Sequence, residues 1–185
     1  VEHGPVASVY RAMDLKLDRE SAVKIFEKSI IGNPEYFSSF KLITRQNAAL
    51  NHQNILPIYS SGEYDGYPYL ATEFMPRFSL RNEIANYGSL SPLTGLFIVE
   101  QVARGLEAAH AEGMEHGCLH PRNILLGLED EVKGSDFQMH RLVVDTTAET
   151  DAVDGLRMDV RYASPELQQS GKQDFRGDIF SLGAI

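Results

Sequence analysis

The run His116-Gly117-Cys118-Leu119-His120-Pro121-Arg122-Asn123, followed thirteen residues later by Asp136-Phe137-Gln138, decides how this chain is read. Asn123 and Asp136 offer hard oxygen donors of the kind Mg2+ prefers, and that ion completes its shell with water and phosphate. A plainer reading has Asn123 capping a turn and Asp136 opening a loop. Cys118, the only cysteine, stands between His116 and His120. A thiol with a pKa of about 8.5 is only a few per cent thiolate at neutral pH and accepts hydrogen bonds poorly.

Composition narrows the class. With 185 residues, 43% hydrophobic and 23% charged, the chain can build a real core as one medium domain or part of a larger one. A net charge of −9, with no two Lys or Arg adjacent, argues against nucleic acid or an anionic membrane as the main partner. No apolar run approaches the roughly 18 residues that span a bilayer, and no secretory leader is visible. A single cysteine cannot form an internal disulfide, so a reducing, cytoplasmic compartment is expected. The chain opens on Val1 and stops at Ile185 inside an apolar pattern, so both ends are read as cut, with room for an anchor or sensor domain outside.

Residues 8–12 and 21–26 alternate or carry β-branched side chains and are predicted as strands. Asn33-Pro34 starts a helix running to about Leu50, with Asn33 as its cap. Residues 55–61 and 67–74 are strand-like and flank Asp65-Gly66, a favoured hairpin turn. Ser91-Pro92 then starts a helix in which Leu93, Leu96, Val99, Ala103, Leu106 and Ala109 recur with helical spacing, and Gly113 closes it. Short strands are expected at 124–126 and 132–133, a polar loop at 145–154, and a further helix from Asp178. A β-rich half followed by a helical half gives an α+β layout with a cleft between.

In order and spacing these pieces resemble a protein Ser/Thr kinase domain of the bacterial or eukaryotic-like type, over nearly the whole chain. His116, Leu119, Pro121, Asn123, Asp136 and Phe137 match the family's H-R-D-L-K-P-x-N and D-F-G patterns. Ala22-Val23-Lys24 resembles the strand of the phosphate-binding lysine, and 51–56 the H-P-N-I-L segment. Glu73-Phe74-Met75 is similar to the hinge, with Thr72 as a small gatekeeper. Tyr162 to Glu166 resembles the A-P-E region, and Asp178 to Gly183 the start of helix F. The resemblance implies a bilobal fold truncated at both ends: residues 1–72 as N-lobe, 73–78 as hinge and 79–185 as a partial C-lobe. His-Gly-x-Leu-His-Pro-x-Asn also resembles the small-molecule phosphotransferases related to aminoglycoside and choline kinases, which lack the last two signatures.

The resemblance implies an ATP site of Gly4, Val9, Ala22, Lys24, Thr72, Glu73, Met75 and Leu125, with Mg2+ on Asn123 and Asp136. It also implies losses. Cys118 stands where the family has its proton-accepting Asp, a group worth typically 10²–10⁴-fold. The helix-C Glu that pairs with Lys24 is replaced by Ile43, and Glu35 lies about two turns away. Glu2, Gly4 and Ala7 occupy the positions of three phosphate-loop glycines. Gly117 removes the Arg that docks a phosphorylated loop carrying Thr146, Thr147 or Thr150. Gln138 replaces a flexible Gly, and Asn47 puts an amide where the family stacks an apolar side chain. His120 replaces a lysine that reaches the γ-phosphate; as an imidazolium of pKa about 6.5 it could do part of that work, with nucleotide affinity rising as pH falls. A catalytically impaired, nucleotide-binding pseudokinase with a regulatory or scaffolding role is expected, its partner a protein or neighbouring domains. The alternative is an active or slow Ser/Thr kinase.

Overall fold

The computed structural model describes residues 2–3, 7–28, 34–144, 159–170 and 174–185, with backbone alone for 2–3, 34–36, 143–144 and 170. Gly4, Asn33, the 145–154 loop and its Thr146, Thr147 and Thr150 lie outside the described residues. Two compact units emerge: Val1–Ala49, Pro57–Phe74 and Met139–Arg157 form one, and Leu50–Leu56, Met75–Gln138 and Met158–Ile185 the other.

The first unit is an antiparallel sheet with a helix. Its strands are β1 (Glu2–His3), β2 (Ala7–Asp14), β3 (Arg19–Phe26), β4 (Ile58–Tyr64) and β5 (Tyr67–Glu73), in the order β1-β2-β3-β5-β4. β2 and β3 outrun their predicted lengths and pair as far as Asp14 opposite Arg19. There the Asp14 Oδ1 accepts the N–H groups of Lys16 and Leu17 at 3.0 and 3.3 Å, a side-chain turn that closes the hairpin. Asp65 and Gly66 join β4 to β5 with φ of 51° and 77°, as a two-residue hairpin requires. β4 starts at Ile58, not Ile55. Ile55 forms an isolated bridge to Gly134 in the second unit's own framework.

Helix α1 (Pro34–Ala49) begins with Pro34 at its first position, where a missing N–H costs nothing. It buries Phe40 and Ile43 with Phe26, Leu70, Met139 and Leu142. Phe26 and Phe40 meet edge to face at 5.4 Å. Leu142 belongs to the short helix α4 (Arg141–Val144).

The second unit is built around α3 (Pro92–Ala111). Ser91 caps it by accepting the Thr94 N–H at 3.1 Å, with Pro92 at the first position. The inward stripe matches the expected one from Val99 onward, with Val99 and Ala103 packed partly buried against the core, and differs in its first turns. Leu93 and Leu96 are 79% and 69% exposed, while Ile98, Val102, Leu106 and Ala109 are buried. Alternative apolar faces exist on this helix, and Gly105 selects between them. A Cβ at Gly105 would lie 2.7 Å from the Asn54 carbonyl oxygen, so the face bearing this glycine is the one that receives the 50–56 backbone. Beyond the helix, Gly113 takes φ 74°, and the Gly113 and Met114 N–H groups bond the His110 and Ala109 carbonyls at 3.0 and 2.9 Å. This is a Schellman closure.

Helix α2 (Leu80–Tyr87) has no counterpart in the sequence reading. It is capped reciprocally by Ser79 and Asn82, and buries only Leu80, so its apolar periodicity is weak. The strands β6 (Ile124–Leu126) and β7 (Val132–Gly134) form the expected small hairpin. Asn54 ties it to α3, donating to the Val132 carbonyl at 2.9 Å and to Gln101 at 3.0 Å. Two helices follow, α5 (Pro165–Ser170) and α6 (Phe175–Gly183). α6 starts three residues before Asp178 because Asp174 accepts the Arg176 N–H at 2.9 Å and so caps it. Among the described residues no helix is long and apolar enough to cross a membrane.

Candidate functional site

In the first unit the candidate nucleotide residues share one sheet face. Lys24 pairs with Val9 on one side and Leu70 on the other, and Ala22 pairs with Thr72. Directly opposed residues point the same way, and so do residues two apart along a strand. Val9, Ala22, Lys24, Leu70 and Thr72 therefore line a common face, with the Lys24 Nζ 5.4 Å from the Phe26 ring centroid. Glu73 ends β5. Where the resemblance puts a glutamate for Lys24, Ile43 lies in the apolar core. The Asn47 amide is accommodated there by donating to the Ile43 carbonyl at 2.9 Å. Ala7 is buried in the same core.

In the second unit the 116–123 loop is held from several sides. The Asp178 carboxylate, fully buried, accepts the N–H groups of His116 and Gly117 at 2.7 and 2.8 Å and lies 2.7 Å from the His110 Nε2. Gly117 has φ 79°, a left-handed conformation that costs other residues roughly 1–2 kcal/mol. Its glycine thus serves the turn, a role that the family pattern, which has Arg there, gave no hint of. His116 is buried with its ring 4.6 Å from that of Phe137, and its Nδ1 accepts the Cys118 N–H at 3.3 Å. The thiol itself is only 3% exposed.

Asn123 and Asp136 stand at the two ends of the β6–β7 hairpin. Asn123 donates its side-chain N–H to the Cys118 carbonyl at 3.0 Å, which orients the amide. Its own carbonyl accepts the Ser135 N–H at 2.9 Å, so Asp136 follows directly after a residue bonded to Asn123. Asp136 and Gln138 both have positive φ, 63° and 59°. Gln138 is locked by its N–H on the His116 carbonyl at 2.9 Å and its amide on Glu115 at 3.1 Å. Leu125, half-buried in β6, bridges to Ser79, and Met75 is buried with its carbonyl accepting the Phe78 N–H at 3.2 Å.

His120 corrects an expectation. Its pKa is pushed down to about 4, chiefly because burial strips water from the cation and also because His116 lies near; Asp136 and Asp159 pull the other way. Its Nδ1 accepts the Arg122 N–H at 3.2 Å, leaving Nε2 to carry the proton of a neutral ring. The side chain is thus uncharged around neutrality in the ligand-free fold, its pKa lying below the ordinary imidazole value of about 6.5. His116 is shifted down as well, again by burial.

Stability follows from the same shift. An unfolded His120 takes a proton near pH 6.5, whereas the folded one waits until about pH 4. The unfolded state binds more protons in that window, so stability falls as pH drops through it. By pH 5 the loss from His120 amounts to about 2 kcal/mol. Urea unfolding at pH 7 and pH 5 should show that loss, and His120→Gln should remove a corresponding part. An unchanged pH dependence in the variant would mean that His120 is protonated in the fold.

Similarity to known proteins agrees with this arrangement. The protein kinase domain family profile matches residues 2–185. The serine/threonine-protein kinase PknL of Mycobacterium tuberculosis is 30% identical over 185 residues, covering 100% of this chain and 46% of that protein. The chain therefore spans about half the length of this curated relative. Among solved structures, the M. tuberculosis PknI kinase domain aligns with a TM-score of 0.77 at 23% identity, over 98% of this chain and 66% of that one. Rad53 1-466 in complex with AMP-PNP aligns at 0.74 and 24%, over 99% and 44%. At such identities the likeness establishes the fold, α+β with a small antiparallel sheet and a helical part. With the profile spanning all but the first residue, the chain belongs to the protein kinase domain family.

Proposed function

We propose that this domain binds Mg2+ and ATP but transfers phosphate poorly, and that its work is regulatory, presenting a surface to a protein partner or to other domains of its chain. The observation that supports the reading is a contrast: the backbone of Asn123 is hydrogen-bonded to the residue preceding Asp136, so two oxygen-bearing residues are retained near each other along the fold, while the position of the family's proton acceptor holds the buried Cys118. On this reading Lys24 contacts the phosphates, Val9, Ala22, Thr72 and Glu73 are the adenine-contacting residues of the first unit, Met75 and Leu125 are nucleotide-contacting residues of the second, and Gly4 belongs to the phosphate cover. Asn123 and Asp136 would hold Mg2+, since two such donors suit an ion that keeps water and phosphate in its shell. When bound, the ion supplies charge neutralisation to the phosphates. Where the family has a carboxylate to position this lysine, the chain has Ile43, buried in the apolar core.

The second reading, a slow Ser/Thr protein kinase of cytoplasmic location, is favoured by the 30% identity to PknL and by Lys24, Asn123 and Asp136 themselves. Thermal denaturation tests the binding common to both. Ligand at 100 times its Kd stabilises by about 2.7 kcal/mol, a rise in Tm of roughly 5–10 °C for a domain of this size. Mg2+ and ATP together should give that rise, and Asp136→Ala should abolish it. No rise at millimolar ATP would leave a nucleotide-free scaffold. Radiolabelled phosphotransfer, compared with the same Asp136→Ala control, separates the impaired domain from the working kinase.

A further inference from the structure

Helix α6 grips two segments of the second unit with one face. Asp178 holds the His116 and Gly117 N–H groups, at the start of the loop that carries Cys118 and His120. Three residues on, the Ser181 Oγ lies 2.8 Å from the Tyr162 carbonyl and 2.8 Å from the Gly177 carbonyl one turn back, its single proton shared between the two acceptors. Residues three apart on a helix are surface neighbours, roughly 5–6 Å between their Cβ atoms. The 159–164 turn is thereby drawn beside the 116–123 loop. The turn is itself well fixed: the Tyr162 N–H bonds the Asp159 carbonyl at 2.9 Å, the Gln168 amide donates to the Ala163 carbonyl at 2.8 Å, and Ala163 and Ser164 are buried.

Asp159 is the carboxylate that this turn carries. The Arg161 side chain forks onto it, its Nε 3.0 Å from Oδ1 and 3.1 Å from Oδ2 and its Nη2 2.5 Å from Oδ2, and the Arg161 N–H adds a bond to Oδ1 at 3.1 Å. Arg161 keeps the group ionised, holding its pKa down to about 2. Its side chain remains partly exposed. Arg161 presents three N–H donors to a carboxylate with about four lone-pair sites, so one further hydrogen bond can be accepted. Its field reaches His120 together with that of Asp136, which tallies with the proximity that α6 imposes. Asp136 is already assigned to the metal.

We propose that Asp159 is the proton acceptor for whatever phosphoryl transfer this chain performs, standing in for the carboxylate that Cys118 cannot supply. The proposal rests on the nucleotide-binding reading above. In the step, the oxygen of a substrate hydroxyl forms a bond to the γ-phosphorus of ATP. The bond from that phosphorus to the β–γ bridging oxygen breaks, releasing ADP. The hydroxyl proton passes to an Asp159 carboxylate oxygen and then to solvent. A loose transition state leaves that proton in place until late, so the acceptor has to be well oriented more than strongly basic.

The test is radiolabelled transfer from ATP to an exogenous hydroxyl-bearing protein substrate by the full chain, with thermal shift by Mg2+ and ATP measured in parallel. Asp159→Asn should lower the rate at least tenfold while keeping the nucleotide-induced shift. Adding Cys118→Asp to that variant should recover tenfold or more, because a carboxylate is then restored at the family position. A rate within twofold of the parent in Asp159→Asn overturns the proposal. So does loss that Cys118→Asp does not recover, which marks Asp159 as a structural support of the turn. A chain that binds nucleotide but transfers nothing measurable overturns it too, with the binding reading intact. Absence of a thermal shift removes both.

Discussion

Asp178→Ala is expected to lower the unfolding free energy by about 3–5 kcal/mol, the range for removing one partner from a buried charge-assisted network. The carboxylate is fully buried, and among the donors it serves are the His116 and Gly117 N–H groups and the His110 ring. Without it the two backbone donors have no replacement within reach of water, and each buried unsatisfied group costs roughly 1–3 kcal/mol. Asp178→Asn should recover little, since its NH2 would face donors. Urea unfolding measures the loss, and hydrogen exchange at His116 and Gly117 localises it. A loss under about 1 kcal/mol, with those amides still protected, would mean that water or another acceptor replaces the carboxylate.

The second large effect is expected at Ile43. Restoring the family's glutamate there looks, from sequence, like a repair of the Lys24 ion pair. In the folded unit Ile43 is 4% exposed and sits with Phe26, Phe40, Leu70, Met139 and Leu142. Ile43→Glu forfeits apolar burial and introduces a carboxyl group that must be desolvated, a combined cost of about 4 kcal/mol or more. Ile43→Val, which keeps the chemistry and removes one methyl group, should cost only about 0.5–1.5 kcal/mol. Chemical denaturation of the pair decides. Equal midpoints for the two variants would show that the site admits a carboxylate after all. With the expected outcome, the apolar character of position 43 is built into the packing, and one substitution cannot reverse it.

What the chain's order of residues determined is the topology and the identity of the candidate groups. Strand alternation, the Asp65-Gly66 turn and the Ser91-Pro92 helix start are local signals, and local backbone energetics acts on them directly. The 116–123 and 136–138 motifs were legible because their residues are chemically distinctive and their spacing is fixed by the short β6–β7 hairpin between them. Helix α2 escaped because a single buried leucine leaves almost no periodicity. Only Leu93 and Leu96 of the α3 stripe were misread, because the exact face turned inward depends on the Asn54 backbone, fifty-one residues from Gly105 in sequence.

Tertiary structure alone decided the electrostatics and the neighbours. His120 carries an ordinary imidazole in sequence, and only burial beside His116 turns it into a group that stays neutral until about pH 4. Gly117 reads as a missing arginine until its positive φ and its bond to Asp178 are seen. Asp159 lacks any motif of its own; α6 brings its turn to the loop through Asp178 and Ser181. Desolvation and long-range proximity are properties of the packed chain, not of any segment, so sequence can nominate a group while only the fold fixes its charge and its company.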